Sequence, residues 1–194
     1  MFLKNLESYK IILASKSPRR QNLLKELGVD FEIVTNNNVE EIYPEDIPKH
    51  DIPVFLAEKK AQGFINKISN NELIITSDTI VLLNNEVIEK PVDYNDAVKM
   101  LNKLSGNKHT VVSGVCITTK QKQVSFSADT NVYFNHLTDD EIKYYINNFK
   151  PFDKAGAYGI QEWIGFIGVK KIEGSYFNVM GLPIHRLYEE LKKF

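Results

Sequence analysis

The apolar positions of this chain come in two rhythms, short continuous runs and stripes at helical spacing, and their order predicts a mixed α/β protein. Lys10-Ile11-Ile12-Leu13-Ala14 reads as a strand. Ser15-Lys16-Ser17-Pro18-Arg19-Arg20 interrupts it, and Leu23, Leu24 and Leu27 then recur at helical spacing as far as Gly28. Ser17 suits the cap, Pro18 the first helical position and Gly28 the stop. A second strand is predicted over Phe31 to Val34. Asn36-Asn37-Asn38 through Pro53 reads as a long polar loop broken by Pro44, Pro48 and Pro53. Loops of that length without structure of their own are uncommon and often functional.

An amphipathic helix is predicted from about Val54 to Ile68, through Phe55, Leu56, Ala61, Phe64 and Ile65. Leu73 to Leu83 is nearly all apolar apart from Thr76-Ser77-Asp78-Thr79, the pattern of a central strand covered on both faces. Asn84-Asn85 turns it into Glu86-Val87-Ile88 as a hairpin. Asp93 caps a helix that closes at Ser105-Gly106, and residues 108–136 read as two long strands joined across Gln121-Lys122. Thr138-Asp139-Asp140-Glu141 has the capping-box spacing and opens a helix to Phe149. Pro151 to Gly165 reads as a loop rich in glycine and aromatics, followed by a strand around Phe166 to Ile172 and a last helix near Ile184 to Lys193. The pattern is a mixed sheet with flanking helices in a single domain over residues 1–194, with no internal repeat.

Composition changes this picture little and excludes several functions. With 194 residues, 43% hydrophobic and 25% charged, the chain has the make-up of a folded globular protein. Its 24 Lys+Arg balance 25 Asp+Glu, leaving no cationic surplus for a nucleic-acid duplex. The lone Cys116 has no bridge partner, and a buried filler role in a reducing cytoplasm is expected. The start, Met1 to Glu7, is too short an apolar stretch for a signal peptide, and no segment is long enough to span a membrane. His50, His109, His136 and His185 lack zinc-site spacing, and neither a Walker loop nor a G-x-S-x-G elbow occurs.

The Ser15 to Arg20 turn joins hydroxyls and guanidinium groups to the amides of a helix start, the chemistry of a phosphate cradle, although a capped helix with solvated arginines has the same pattern. Asp78 interrupts the most apolar strand, where a carboxylate requires a cation, a metal or donors. It is either a structural acid satisfied by backbone amides or a functional one. Lys60 and Lys90 are by themselves ordinary solvated lysines. Glu40-Glu41 supplies hard oxygen donors that could join Asp78 in holding a divalent metal. Asp153 to Gln161 sets glycines around an aromatic and an amide, and the Gln161 amide matches the imide edge of uracil or thymine. An ordinary glycine turn is the plain alternative there.

Seven segments together resemble, in order, the Maf family of nucleoside triphosphate pyrophosphatases. They are Ala14 to Arg20, Val39-Glu40-Glu41, Leu56 to Ala61, Ser77 to Val81, Glu89-Lys90-Pro91, Asp153 to Gln161, and Gly174-Ser175-Tyr176 to Gly181-Leu182-Pro183. Asp78-Thr79 with Tyr158-Gly159-Ile160-Gln161 is similar to the subgroup acting on dTTP and UTP. Ser77, and Glu162-Trp163-Ile164 in place of a glycine-richer stretch, depart from the family pattern near the base pocket. The resemblance implies a Maf/inosine-triphosphatase-like two-lobed fold with a central cleft. It also implies a cytoplasmic homodimer, a divalent metal (Mg²⁺, Mn²⁺ or Co²⁺), and release of pyrophosphate from dTTP, UTP or CTP, removing non-canonical or excess nucleotides. Its roles fall on Asp78, Lys60 and Lys90 for catalysis, and on Ser15, Ser17, Arg19 and Arg20 for phosphate. Arg19, Thr79 and Gln161 carry specificity, and Glu41 and Asp78 the metal; general aromatic chemistry, apart from the resemblance, offers Trp163 or Tyr158 as a ring to stack on the base. A non-catalytic nucleotide-binding regulator linked to septum formation is the alternative. A sugar-nucleotide or phosphate-ester enzyme is a third reading, distinguished by its products.

Overall fold

Residues 3–35 and 39–194 are described by the computed structural model; Met1, Phe2 and the Asn36-Asn37-Asn38 start of the expected polar loop lie outside the described residues. The elements are β1 (Lys10–Leu13), α1 (Pro18–Glu26), β2 (Glu32–Ile33), α2 (Ile52–Ile65), β3 (Glu72–Leu83), β4 (Glu86–Ile88), α3 (Tyr94–Leu104), β5 (Lys108–Thr118) and β6 (Gln123–Phe134). α4 (Asp139–Phe149), α5 (Trp163–Gly168), β7 (Val169–Glu173), α6 (Tyr176–Val179) and α7 (Ile184–Leu191) complete the chain. The strands form one mixed sheet in the order β2-β1-β3-β5-β6-β7, with β4 paired to β3. β1 runs parallel to β2 and β3, whereas β3–β4 and β6–β7 are antiparallel.

Two compact units divide the chain. The first comprises Met1–Asp78, Ser113–Ala128 and Gly181–Phe194; the second comprises Thr79–Val112 and Asp129–Met180. In the first unit, β1 and β3 pair in register from Lys10 opposite Glu72 to Leu13 opposite Ile75. α2 lies close to β5 because small residues meet: Ala57 and Ala61 pack with Cys116, and an added Cβ at Gly114 would fall 2.2 Å from the Pro53 carbonyl carbon. The Thr76 hydroxyl donates to the Ala57 carbonyl at 2.6 Å, fixing the helix along β3. Cys116 is buried and free, as a filler would be, and burial pushes its thiol pKa up.

The second unit has its own apolar core, in which Leu101 and Leu104 of α3 and Ile142, Tyr145 and Ile146 of α4 pack with Val81, Val111, Val132 and Phe134 of the strands. Asp93 caps α3 by accepting from the Asp96 amide at 2.8 Å, and Thr138 and Glu141 form the expected capping box on α4. Asn84 and Asn85 both adopt positive φ, as a two-residue hairpin of the favoured twist requires.

Several boundaries depart from the sequence reading. α2 begins at Ile52, so Pro53 belongs to its first turn instead of ending the loop; proline lacks an amide hydrogen that this turn does not need. The helix also ends at Ile65, short of Ile68. Trp163 to Gly168 is helical where residues 166–168 were expected to begin a strand. There the Gly165 amide donates to the Glu162 carbonyl at 2.8 Å, and an added Cβ at Gly165 would lie 1.9 Å from the Ile160 carbonyl oxygen. The aromatic and β-branched content favours a strand locally; this tight return of the chain overrides it. Ser17 occupies the cap position of α1 without a side-chain capping bond. Its amide instead donates to the Ser15 hydroxyl at 3.2 Å.

Candidate active site

In the first unit, Asp78 ends the buried run of β3 and its side chain is 11% exposed. An ionised carboxylate at that depth requires compensation, and Lys60 provides it, with Nζ 2.5 Å from Oδ1. α2 delivers this lysine: the helix is held by Gly114 and by the Thr76–Ala57 bond, and Lys60 lies one turn beyond Ala57. The same ammonium lies 2.8 Å from Glu41 Oε1, while the preceding Lys59 donates to the Ile42 carbonyl at 2.8 Å. Two adjacent lysines thus pin the segment that follows the undescribed asparagines. Glu41 and Asp78 converge on one cation.

Arg20, from the first turn of α1, reaches the same strand end. Its Nε donates to the Gly181 carbonyl at 2.8 Å and a terminal nitrogen to the Ser77 carbonyl at 2.7 Å. Burial lowers the guanidinium pKa, while Asp78 raises it and Arg19 lowers it; an arginine retains its charge under such opposing influences. Arg20 is therefore a strut as well as a charge, a role the sequence reading missed. Ser15 is buried, with its carbonyl accepting from the Gln21 side chain at 3.1 Å and its hydroxyl from the Ser17 amide. The Ser15 to Arg20 turn and the Asp78–Lys60–Glu41 cluster are thus joined through Arg20 and Ser77. Gln21 carried no role in the sequence reading, and Gly181 entered it only within a segment of the family resemblance; the contacts show what each does.

The second unit holds Thr79, Lys90 and Gln161. The Gly156 amide donates to the Glu89 carbonyl at 3.0 Å, which fastens the exposed Lys90 segment to the glycine loop. Gly156 and Ala157 both have positive φ, 71° and 57°, and the second is a strained value for alanine. Gln161 is half-buried, and its Oε1 is buried without a hydrogen-bond partner among the described residues. Tyr158 is not available to stack on a base. It is 5% exposed, its hydroxyl is 2.8 Å from His109 Nε2, and its ring meets Phe134 edge-on. Trp163 packs beside Tyr144, with ring centroids 4.7 Å apart. No group of three or more acidic, histidine or cysteine ligands occurs among the described residues, and none of their helices is long and apolar enough to cross a membrane.

A family model described as "Maf-like protein" matches residues 10–194, and the chain belongs to that family. It is 58% identical over 191 residues to a dTTP/UTP pyrophosphatase of Phocaeicola vulgatus, covering 98% of this chain and 99% of that protein. A Bacteroides fragilis protein of the same name is 52% identical over 191 residues, with the same coverage, and one from Parabacteroides distasonis is 50% identical over 192, covering 99% of this chain and all of that protein. Among solved structures, the HAM1 protein of Coxiella burnetii superposes with a TM-score of 0.51 at 10% identity, covering 96% of this chain and 100% of that one. The Staphylococcus aureus Ham1 protein gives 0.50 at 19% identity, covering 93% and 99%. At these identities the two structures show the fold alone.

Proposed function

We propose that this protein is a nucleoside triphosphate pyrophosphatase that hydrolyses dTTP and UTP between the α- and β-phosphates. The observation that carries the reading is a largely buried carboxylate, Asp78, set 2.5 Å from Lys60 and within the field of Arg20. The names of relatives about half identical over nearly the whole chain support it.

Water is the nucleophile. Lys60 orients Asp78 through Oδ1, and Oδ2 accepts the water proton as the oxygen bonds to the α-phosphorus and the bond to the bridging oxygen breaks. The products are the nucleoside monophosphate and pyrophosphate. Charge on the leaving group and on the phosphorane oxygens is stabilised by Arg19, Lys60 and Lys90, with Ser15, Ser17 and the first-turn amides of α1 contributing donors. Arg20 supplies positive charge while bracing the end of β3. Arg19, Thr79 and Gln161 select the pyrimidine.

The Glu41 and Asp78 oxygens suit a divalent cation, since they already converge on one ammonium and magnesium is commonly held by one or two carboxylates plus substrate phosphates. When bound, that cation would neutralise phosphate charge. Residues 1–194 serve as a single nucleotide pyrophosphatase domain, and the enzyme works in the cytoplasm as a homodimer; sedimentation velocity checks the assembly.

The test uses Asp78→Asn with dTTP, UTP and CTP, with Mg²⁺, Mn²⁺ or Co²⁺ added and monophosphate and pyrophosphate resolved. Loss of about 10²–10⁴-fold in kcat with nucleotide binding retained is expected for removal of a general base. Full pyrophosphate release by this variant refutes the assignment. Stoichiometric binding without monophosphate production by the unmodified protein would instead make it a nucleotide-binding regulator, and release of orthophosphate would point to a phosphate-ester enzyme.

A further inference from the structure

A second charged cluster, apart from Asp78, surrounds the loop that carries Gln161. Lys154 is 9% exposed at its side chain, yet its ammonium contacts Asp153 at 2.7 Å and Glu162 Oε1 at 3.2 Å. The other oxygen of Glu162 accepts a short hydrogen bond from the Tyr145 hydroxyl of α4. That hydroxyl in turn accepts from the Gly159 amide at 3.0 Å. The Glu162 amide donates to the Gly159 carbonyl at 3.0 Å, closing the loop on itself. The residues at positions 159 and 162 are thus tied together by one tyrosine hydroxyl and one carboxylate, and Gln161 lies between them.

We propose that Lys154, Glu162 and Tyr145 form a positioning network that presents the Gln161 amide for base recognition; this rests on the pyrimidine-selecting role given to Gln161 above. Three observations support it. Gln161 Oε1 is buried and has no hydrogen-bond partner among the described residues, so the orientation of the amide is left to the loop that carries it. The loop also contains left-handed Ala157, so the surrounding bonds hold a conformation the residue would not choose. Burial first, then Glu162, raises the Tyr145 pKa, which keeps the hydroxyl protonated and able to donate. These residues touch no reacting atom. They hold in place the side chain that makes the selection.

Tyr145→Phe removes the hydroxyl while keeping the ring stacked on Phe149. Steady-state kinetics with dTTP and UTP are measured for the wild type, Tyr145→Phe, Gln161→Ala and the double variant. The expected result is a KM raised about tenfold by each single substitution, a magnitude typical of leaving one polar group unsatisfied, with kcat within about twofold of wild type. The double variant should equal Gln161→Ala, because residues acting as one unit are not additive. Should Tyr145→Phe fail to fold, Gly159→Ala serves in its place, since the new Cβ would fall 2.8 Å from the tethered Glu162 Cδ. If Gln161→Ala raises KM but the second substitution leaves it unchanged, or if the two effects add fully, the network is overturned and the base-reading role stands. If Gln161→Ala leaves KM unmoved, the base-reading role fails and the network's purpose fails with it.

Discussion

His109 makes the stability of the second unit depend on pH in a calculable way. It is 1% exposed, flanked by the rings of Phe134 and Tyr158 at 5.0 and 5.3 Å, and its Nδ1 has no hydrogen-bond partner among the described residues. Burial pushes its pKa down from 6.5 to about 4. Between these two values the unfolded chain takes up a proton that the folded chain refuses, so stability falls as the pH falls through that window. Below about 4 both states are protonated and this contribution changes no further. The shift corresponds to a loss of about 3 kcal/mol across the window. Replacing His109 alone would leave the Tyr158 hydroxyl unpaired, so the useful comparison is His109→Phe with Tyr158→Phe, which removes both partners together. Urea unfolding followed by circular dichroism from about pH 7 to about pH 4 should show the double variant losing about 3 kcal/mol less than the wild type. Other titrating groups contribute alike to both proteins and cancel in the difference. Equal losses in the two proteins would refute the assignment of this dependence to His109.

Lys60→Met should cost about 3 kcal/mol by leaving Asp78 and Glu41 without their shared cation; adding Asp78→Asn should restore part of that stability in thermal melts while turnover stays lost. Gly114→Ala should destabilise by roughly 1–3 kcal/mol and lower kcat, because the new methyl group must push the first turn of α2, and with it Lys60, off β5; a normal melting temperature with normal kcat would contradict that route. Thr138→Ala should cost about 1 kcal/mol through loss of the α4 capping box, with KM unchanged; denaturant midpoints and steady-state rates check both parts.

Local chemistry made much of the fold readable. The Pro18 start and Gly28 stop of α1, the Asn84-Asn85 turn and the Thr138 box each depend on residues adjacent in sequence, and each stands where its chemistry requires. Asp78 was conspicuous because it breaks an apolar strand. The structure adds the cation that answers it, Lys60, which the residue pattern by itself left among ordinary helix lysines and only the family resemblance had marked for catalysis. What could not be read depends on distant pieces of chain: the Arg20 bonds to residues 77 and 181, the Tyr145–Glu162–Lys154 network, and the Pro53–Gly114 approach. The α5 boundary failed for the same reason, because the return of Gly165 onto Ile160 is a tertiary event. Tyr158 misled because a tyrosine in a glycine loop looks exposed, and only its His109 partner reveals that it is core.

The Arg20 strut ties together pieces of the first unit that lie far apart in sequence. Both of its bonds end on backbone carbonyls, at residues 77 and 181. A side-chain replacement at either position therefore deletes no acceptor, and the brace gives way only when the arginine is changed or the main chain it grips is moved.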